Sequence, residues 1–476
     1  MIDQIDVKAL KGLTQDSRGV KDGYLFAALP GMKTDGRKFI VDAVRNGATM
    51  ILAQKGTKLP EGIDLSGVKL VTDDNPRRAL SLLAAKFYGP QPAIIAAITG
   101  TNGKTSTAHF AKQLWKSQNI KAASIGTLGV RAPGLARPGS MTTPDPVSLH
   151  AELADLAAAG VTHLAMEASS HGLHQYRLDG VRVSAAGYTN LSHDHLDYHG
   201  DMDQYFAAKA RLFTEVMLPG GVAVLNADDD HFKKLKTLCE KAGHKIFSYG
   251  HKGEHLKIRK ATMAPHGQDL QLNIFGRDYT ITLPLVGDFQ VMNALCALGL
   301  VLAQDQKKAD KFVAALENLQ GVPGRLQLVS AQSSEVAVYI DYAHTPDALE
   351  NILKALRPHT KGRLVCLFGC GGDRDSGKRP VMGKIAFTLA DHVIVTDDNP
   401  RSENPAAIRQ SIIAAAPKAQ EIPGRREAIR KAVADLKEGD VLVIAGKGHE
   451  QGQVFADRTE AFDDYEEAEK AIEDLK

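Results

Sequence analysis

A glycine-rich hexapeptide in the first third of the chain constrains the fold most. The sequence Gly-Thr-Asn-Gly-Lys-Thr at residues 100–105 follows an apolar run at 93–99 and precedes a helical pattern at 106–115. The apolar run is typical of a buried parallel strand. Between a strand and a helix, backbone amides around Gly100 and Gly103 can surround phosphate groups. The spacing therefore predicts a P-loop inside a doubly wound α/β domain.

The P-loop carries two further chemical groups and one departure from the general pattern. Lys104 can neutralise phosphate charge, and the Thr105 hydroxyl can coordinate magnesium. The general Walker pattern has glycine where this chain has Ile98, so the loop is the shorter Gly-x-x-Gly-Lys-Thr form. The alternative, a glycine turn with a chance lysine, is disfavoured by the flanking strand and helix.

The length of 476 residues is too great for one hydrophobic core, and the patterns along the chain predict three α/β domains. A Gly-Pro-Gln-Pro cluster at 89–92 breaks the chain, and residues 321–325 form a second expected linker. We expect a small N-terminal α/β domain at 1–89, a central P-loop ATPase domain at 90–324 and a Rossmann-like C-terminal domain at 325–476. In the last domain, four apolar strands run into polar or glycine-rich loops, which should share one ligand-facing edge.

Composition and charge exclude several classes of partner. The 58 Lys and Arg residues nearly balance the 56 Asp and Glu residues, so no general attraction to nucleic acid or anionic membranes is expected. The N-terminus is acidic, and no apolar run approaches the roughly 18 residues of a membrane span. The four cysteines are too few for a disulfide framework and are predicted to be buried thiols. We expect a cytoplasmic monomer that binds small molecules.

Two predicted strand ends carry carboxylate and imidazole groups. Glu167 ends one apolar run, and a histidine-rich segment at 190–200 follows another. Near a bound nucleotide, these groups are typical magnesium ligands. Zinc is the alternative for the three histidines at 193, 195 and 199, but the helical His-Glu-x-x-His spacing is absent there.

The order and spacing of these blocks resemble the Mur ligase family over nearly the whole chain. The matching blocks are residues 16–18, 100–105, 142–144, 167–177, 190–200, 208–209, 287–293, 324–325, 341–346, 372–374, 398–401 and 446–450. The resemblance implies three domains that bind the UDP end of the substrate, ATP and an amino acid. It also implies a reaction in peptidoglycan precursor synthesis. ATP phosphorylates the D-glutamyl carboxylate of UDP-N-acetylmuramoyl-L-alanyl-D-glutamate, and the amine of meso-diaminopimelate attacks the acyl phosphate.

The resemblance also assigns site residues. It implies catalytic roles for Lys104, Glu167, His195, Lys209 and His344. It places ATP at Gly100, Thr101, Asn102, Gly103, Lys104, Thr105, Ser106, Asn293, Arg325 and Asp341, and Mg²⁺ at Thr105, Glu167, His195 and a carbamylated Lys209. It places the UDP-muramoyl dipeptide at Gln15, Ser17, Met32, Lys33, Thr34, Met141, Thr142, Thr143, Ser169, Gln175 and Arg177. Two positions depart from the family pattern: Gln290 replaces the usual Asn, and His193 replaces an expected Arg.

The selectivity for the amino acid is implied by the block Asp-Asn-Pro-Arg at 398–401. The resemblance places diaminopimelate at Arg374, Asp398, Asn399, Pro400, Arg401, Gly446 and Glu450. Diaminopimelate differs from lysine by a second carboxylate, which a guanidinium can bind through two parallel charge-assisted hydrogen bonds. The segment Asp-Asp-Asn-Pro-Arg occurs at both 73–77 and 397–401. We interpret the first copy as structural because an amphipathic helical pattern follows it.

Alternative functions remain at this stage. A lysine-adding ligase or a folylpolyglutamate synthetase would share the ATPase core, but the blocks at 142–143 and 398–401 argue against both. A P-loop nucleotide switch or small-molecule kinase would leave Lys209 and Glu450 without roles. A catalytically silent relative would not need to keep Lys104, Glu167, His195 and Lys209.

Overall fold

The computed structural model describes residues 5–31, 34–59, 67–139, 141–192, 194–264, 267–329 and 336–475. The predicted site residues Met32, Lys33 and His193 therefore lie outside the described residues. The chain forms two compact units, Met1–Lys257 with Leu295–Phe312, and Ile258–Ala294 with Val313–Lys476. Each unit is an α/β structure, and we describe them separately.

The first unit begins with a parallel four-stranded sheet covered on both faces. Its elements are β1 (Gly12–Thr14), β2 (Tyr24–Ala28), α1 (Ile40–Arg45), β3 (Ala48–Gln54), β4 (Lys69–Asp73) and α2 (Pro76–Tyr88), with strand order β1-β2-β3-β4. Side chains of β2 alternate between two apolar clusters, with Leu25 in one and Phe26 in the other. In the first Asp-Asp-Asn-Pro-Arg copy, the Asn75 side chain caps α2 and Pro76 occupies its first turn. The predicted α/β unit and its helix are confirmed.

The larger sheet of the first unit is doubly wound, as predicted. Its elements are β5 (Ile94–Thr99), α3 (Lys104–Ser117), β6 (Ala122–Gly126), β7 (Gly129–Ala132), β8 (Leu135–Arg137), α4 (Pro146–Ala158), β9 (His163–Glu167), α5 (Ser170–His174), β10 (Val183–Tyr188), α6 (Leu196–His199), α7 (Met202–Arg211), β11 (Met217–Asn226), α8 (Phe232–Lys241) and β12 (Lys245–Gly250). Strands run in the order β12-β11-β10-β5-β9-β6, all parallel, followed by antiparallel β7 and β8. Strand β10 ends at Tyr188, and the next residue, Thr189, donates from its Oγ1 to Asn102 O.

The chain passes between the two units within three elements: β13 (Leu256–Ala264), α9 (Asp288–Leu302) and α10 (Ala309–Ala315). In the second unit, β14 (Gly267–Ile274) and β15 (Arg277–Leu283) form an antiparallel hairpin with Leu270 opposite Ile281. Buried and exposed residues alternate along both strands, as is typical of antiparallel strands with one exposed face.

The second unit ends in a six-stranded Rossmann-like sheet, also as predicted. Its elements are β16 (Gln327–Leu328), β17 (Ala337–Asp341), α11 (Pro346–Leu356), β18 (Leu364–Phe368), α12 (Lys378–Leu389), β19 (His392–Val395), α13 (Pro405–Ile413), β20 (Gln420–Glu421), α14 (Arg425–Ala434), β21 (Val441–Ala445), a hairpin of β22 (Gln453–Val454) and β23 (Thr459–Glu460), and α15 (Asp464–Glu473). The order is β16-β17-β21-β18-β19-β20, and only β16 is antiparallel to its neighbour. Apolar clusters cover both faces. The four predicted strands are therefore parallel, and their carboxyl ends lie at one edge.

Two ion pairs hold opposite ends of this sheet. At the amino ends of β18 and β21, Arg363 Nη2 lies 2.6 Å from Asp440 Oδ2, and Asp440 also accepts from the Arg363 amide. Near the carboxyl ends, Arg425 and Asp464 form a bidentate pair with two 2.7 Å contacts, and both side chains are fully buried. Arg425 Nη2 also donates to Ala445 O at 3.0 Å, which ties the pair to the end of β21.

Removing one member of the buried pair is expected to destabilise the second unit. Arg425→Met should lower the free energy of unfolding by about 3 to 5 kcal/mol because it leaves the Asp464 carboxylate buried and unpaired. Thermal unfolding followed by circular dichroism measures the loss. The double variant Arg425→Met with Asp464→Leu should recover most of it. If the double variant were no more stable than the single one, burial of an unpaired charge would not be the cause.

Candidate active site

The predicted P-loop joins β5 to α3, and its geometry requires glycine. Gly100 has φ +151° and Gly103 has φ +85°. A Cβ on Gly100 would lie 1.8 Å from Thr189 Oγ1, so no larger residue fits there without movement. Lys104 is the first residue of α3, and its Nζ donates to Gly100 O at 2.9 Å and Thr101 O at 2.8 Å. The lysine charge therefore lies directly over the loop.

Glu167 ends β9, the strand beside β5, and reaches the same loop. Its side chain is buried, and Oε1 accepts from the Thr127 amide at 2.8 Å. Burial raises the pKa of Glu167, while the Lys104 charge and hydrogen bonds from Thr127 and Thr105 oppose that shift. A carboxylate and the Thr105 hydroxyl thus meet beside a phosphate-binding loop. These are oxygen donors of the kind that magnesium prefers.

Lys209 is the most unusual group of the site because it is a buried lysine beside another lysine. It lies on α7, and only 2% of its surface is exposed. Its Nζ donates to Gly100 O at 2.8 Å, the same carbonyl that accepts from Lys104. Burial, followed by the nearby charge of Lys104, lowers the pKa of Lys209 well below its usual value. Both effects work against the charged form of Lys209.

Among the described residues, His195 has no direct contact with Lys104, Glu167 or Lys209. It has φ +53° at the start of α6, its side chain is half-exposed, and its ring lies 4.9 Å from His171 and 6.2 Å from Tyr205. In the described part of the chain, no group of three or more His, Cys, Asp and Glu side chains has the arrangement of a metal site. The structure thus brings Lys104, Thr105, Glu167 and Lys209 together, and the inclusion of His195 in the magnesium set stays a prediction.

A pocket in the first unit contains several of the residues predicted for the dipeptide substrate. It is lined by Gln15, Leu29, Arg77, Met141, Asp145, Pro146, Gln175 and Arg177. Arg177 donates to Thr143 O at 2.8 Å and to Gln175 Oε1 at 2.7 Å. Thr143 Oγ1 in turn donates to Glu167 O at 2.9 Å and accepts from Ser169 Oγ. A continuous set of hydrogen bonds therefore links the pocket to the strand that carries Glu167.

Three further predicted substrate residues lie in the described part of the first unit. Ser17 starts a short 3₁₀ turn that Asp16 caps, and its carbonyl accepts from Asn46 Nδ2 at 3.1 Å. Thr34 is exposed, and Thr142 Oγ1 lies 3.2 Å from Thr127 Oγ1, next to the Glu167 contact. All three are accessible positions, but the structure does not place them in the pocket.

In the second unit, Asp341 ends β17 and is buried. It accepts from the Leu326 amide at 2.7 Å and the Ala343 amide at 2.8 Å. Burial raises the pKa of Asp341 to about 6, against the opposing effects of these amides and the Arg325 charge. The carboxylate fixes the turn that carries Arg325, whose guanidinium lies 5.2 Å from the centre of the Tyr342 ring.

Two other predicted nucleotide positions lie in the second unit. His344 is exposed, and its Nδ1 lies 2.8 Å from Tyr342 O. Asn293 Nδ2 donates to Gln290 Oε1 at 3.1 Å within α9. Gln290, which departs from the family pattern, is therefore a direct hydrogen-bond partner of Asn293, a predicted ATP contact.

The loops predicted to bind the amino acid meet at one edge of the six-stranded sheet. Arg401 has φ +51°, and its Nη1 donates to Gly372 O at 2.7 Å. A Cβ on Gly371 would lie 2.8 Å from Arg401 Nη1 and 3.9 Å from Arg374 Cγ, so both arginines flank that glycine. From the third loop, Glu450 accepts from Asn399 Nδ2 at 3.0 Å. The predicted shared edge of these loops is confirmed.

Comparisons with known proteins agree with this architecture. Family models match residues 9–88 (Mur ligase family, catalytic domain), 98–301 (Mur ligase middle domain) and 324–448 (Mur ligase, glutamate ligase domain). The chain is 51% identical to the UDP-N-acetylmuramoyl-L-alanyl-D-glutamate–2,6-diaminopimelate ligase of Chelativorans sp. over 98% of this chain and 95% of the relative. The chain belongs to the Mur ligase family. The ligase of the same name from Caulobacter vibrioides is 52% identical, over 98% and 96% of the two chains.

Solved structures extend the comparison of this Mur ligase. A structure of a UDP-N-acetylmuramoyl-L-alanyl-D-glutamate–2,6-diaminopimelate ligase superimposes with a TM-score of 0.76 at 34% identity, covering 100% of this chain and 98% of that one. A MurF ligase from Thermotoga maritima in complex with ADP shares the fold, with a TM-score of 0.61, 19% identity and coverage of 99% and 100%. The predicted three-domain α/β class is confirmed, whereas the exact boundaries at residues 89–90 and 324–325 stay predictions.

Three features of this Mur ligase were not predicted from the sequence. Arg77, in the first Asp-Asp-Asn-Pro-Arg copy, lines the pocket together with Arg177, a position that the sequence did not predict. Lys447 is fully buried beside Asn399, although only its neighbours in the block at 446–450 were assigned. The repeated motif and the family block were the signals that could have identified these two residues. The third feature, the pairing of Arg425 with Asp464, has no local sequence signal.

The remaining predictions concern the cysteines, membrane spans, oligomeric state and cellular location. The four cysteines are free and buried, as predicted. Among the described helices, none has the length and apolar character needed to cross a membrane. Oligomeric state and cellular location stay predictions.

Proposed function

We propose that this Mur ligase joins meso-diaminopimelate to the D-glutamate of UDP-N-acetylmuramoyl-L-alanyl-D-glutamate, with ATP consumed through an acyl phosphate. The observation that carries the chemistry is the convergence of Lys104 and Lys209 on the carbonyl of Gly100, beside the buried Glu167. The names of relatives about half identical over nearly the whole chain support the choice of substrates. The proposed product is a precursor of peptidoglycan.

The P-loop supports the first chemical step, transfer of the γ-phosphoryl group to the D-glutamyl carboxylate. Backbone amides at the start of α3 and the Lys104 ammonium would bind the phosphates and stabilise the negative charge of the transition state. Thr105, Glu167 and a modified Lys209 would hold Mg²⁺, with His195 as a further proposed ligand. Such a cation would help to neutralise the negative charge of the phosphate groups.

Carbamylation of Lys209 accounts for an otherwise unfavourable pair of lysines. The neutral Nζ would attack CO₂, form an N–C bond and lose one proton, which gives a carboxylate on the side chain. That negative charge would lie beside Lys104 in place of a second positive charge, and it would supply an oxygen ligand. The lowering of the Lys209 pKa by burial favours this reaction because only the neutral amine is nucleophilic.

Two sites would then position the organic substrates. The pocket with Arg77 and Arg177 suits the anionic muramoyl dipeptide, with Gln175 and Thr143 as hydrogen-bonding groups. Ser17, Met32, Lys33 and Thr34 are proposed for the UDP group. In the second unit, Asn293, Arg325, Asp341 and His344 are proposed for ATP, and the loops with Arg374, Asp398, Asn399, Pro400, Arg401, Gly446 and Glu450 for diaminopimelate. We also propose that the protein is a cytoplasmic monomer with domains at 1–89, 90–324 and 325–476.

The decisive experiment is ATP-dependent phosphate release by the purified protein with UDP-N-acetylmuramoyl-L-alanyl-D-glutamate. Meso-diaminopimelate and L-lysine are compared, and mass spectrometry identifies the tripeptide product. We expect turnover with diaminopimelate and little with lysine. Equal use of both amino acids would support the ligase function and overturn the proposed selectivity. No turnover with either amino acid would overturn the proposed ligase function.

Arg401→Ala is expected to remove that selectivity. The substitution should lower kcat/KM for diaminopimelate by about 100-fold, because a paired, partly desolvated charge contact contributes about 2 to 5 kcal/mol. The value for lysine should change little, since lysine has no distal carboxylate. Arg430→Ala, at an exposed position of α14, is the matched control and should behave as wild type. An equal loss with both amino acids would indicate damage to the loop and not loss of a carboxylate contact.

A further inference from the structure

We propose that Lys447 is a positioning residue that fixes Asn399 and Glu450, and thereby sets selectivity for an ammonium group on the distal carbon of the amino-acid substrate. The inference rests on the proposed diaminopimelate ligase function. It adds a residue whose side chain is buried beneath the ligand loops and acts through two neighbours.

Lys447 is held in a buried, charged environment just after β21. Its side chain has no exposed surface, and its Nζ donates to Asn399 Oδ1 at 2.9 Å and lies 3.5 Å from Glu450 Oε2. Asp398 and Asp464 add nearby negative charge, and Arg425 adds positive charge. A buried ammonium is costly unless it is paired, so this lysine must be matched to the groups around it.

The contacts of Asn399 determine the orientation of its amide. Oδ1 accepts from the Lys447 ammonium and from the Val454 amide at 3.0 Å. Both partners can only donate, so the atom between them must be the amide oxygen. The amide nitrogen therefore points the other way, where Nδ2 donates to Glu450 Oε2 at 3.0 Å.

One carboxylate oxygen of Glu450 is consequently held by hydrogen bonding, and the other is available to a ligand. Oε2 accepts from Asn399 and faces Lys447, whereas the side chain keeps 37% of its surface exposed. Within the described residues, Oε1 makes no hydrogen bond. A fixed carboxylate with one oxygen available suits a ligand ammonium, which is a donor only.

Without Lys447, the amide of Asn399 would lose one of the two donors that fix its orientation. In the flipped orientation, its oxygen would face the Glu450 carboxylate, and the two acceptors would repel each other. Glu450 would then lose both its hydrogen bond and its nearby positive charge. The loss should be specific to ligands that carry the distal ammonium.

Lys447→Met tests this prediction with two amino acids, meso-diaminopimelate and 2-aminopimelate, which lacks the distal amine. Wild type should prefer diaminopimelate, and the variant should lose about tenfold or more of that preference in kcat/KM. The KM values for ATP and the UDP substrate should not change. Lys354→Met, an exposed lysine on α11 paired with Glu350, is the matched control and should keep the wild-type preference. An equal loss for both amino acids would assign Lys447 a structural role only and overturn the proposal.

A double-mutant cycle gives an independent outcome. Lys447→Met should have little further effect on the preference in a Glu450→Gln background, because the lysine acts through that carboxylate. An undiminished effect would overturn the proposal. Should Lys447→Met fail to fold, Lys447→Gln, which removes the charge and shortens the reach of the donor, replaces it with the same expected loss of preference. Failure of the proposed function would be seen separately, as no turnover of diaminopimelate by the wild type.

Discussion

Lys209→Met is expected to lower kcat by about a thousandfold, the scale seen when one preorganised electrostatic group is removed from an active site. Methionine fills the buried space without a charge, so the fold should be retained. The variant cannot form the carbamate that we propose as a magnesium ligand. Steady-state phosphate release with all three substrates measures the effect.

Dependence on CO₂ separates a carbamate from a simple lysine contact. Wild-type activity should fall in buffers depleted of CO₂ and return with bicarbonate, whereas the residual activity of Lys209→Met should not respond. Lys234→Met is the matched control, since Lys234 Nζ lies 4.6 Å over the Phe206 ring much as Lys209 Nζ lies 4.3 Å over Tyr205. The control should keep nearly wild-type kcat. Activity of Lys209→Met close to wild type would rule out the carbamate role.

Lys104→Met is expected to cause a loss of similar size, about a thousandfold in kcat, with a raised KM for ATP. The ammonium that lies over the P-loop is then absent when charge develops on the transferring phosphoryl group. KM for diaminopimelate should stay unchanged. Lys116→Met, at an exposed position near the end of α3, is the control variant.

Because Lys104 and Lys209 contact the same carbonyl, the losses of kcat caused by substituting each lysine should not multiply in the double variant. The double variant Lys104→Met with Lys209→Met should be little slower than either single variant, as expected for groups that act as a unit. Fully multiplicative losses would show that the two lysines act independently, which would contradict a shared phosphate and metal site.

The sequence predicted best those features that depend on local pattern. The P-loop was predicted from Gly100 and Gly103 because the glycine conformations and the strand–loop–helix order depend on consecutive residues. The meeting of the loops after β18, β19 and β21 followed from parallel strands, whose carboxyl ends share an edge. The assignment of most contact residues, by contrast, depended on family resemblance and not on pattern.

Long-range pairing explains what the sequence did not predict. Arg425 and Asp464 are 39 residues apart, and each looks like an ordinary surface residue at a helix start. The bond from the Thr127 amide to Glu167 spans 40 residues and depends on the order of β6 and β9 in the sheet. Lys447 is buried beside Asn399, which is 48 residues away in the sequence. Side-chain burial of this kind arises from tertiary packing, which periodicity does not report.

The Arg363–Asp440 pair has an evolutionary consequence. It ties β18 and β21 at the edge opposite the loops that we propose bind the amino acid, so the register of these strands does not depend on the sequence of those loops. Substitutions at positions such as Arg401 can therefore accumulate with little loss of foldability. A lineage that exchanged the third amino acid of its cell-wall peptide would need substitutions at a few loop positions, and the sheet could stay unchanged.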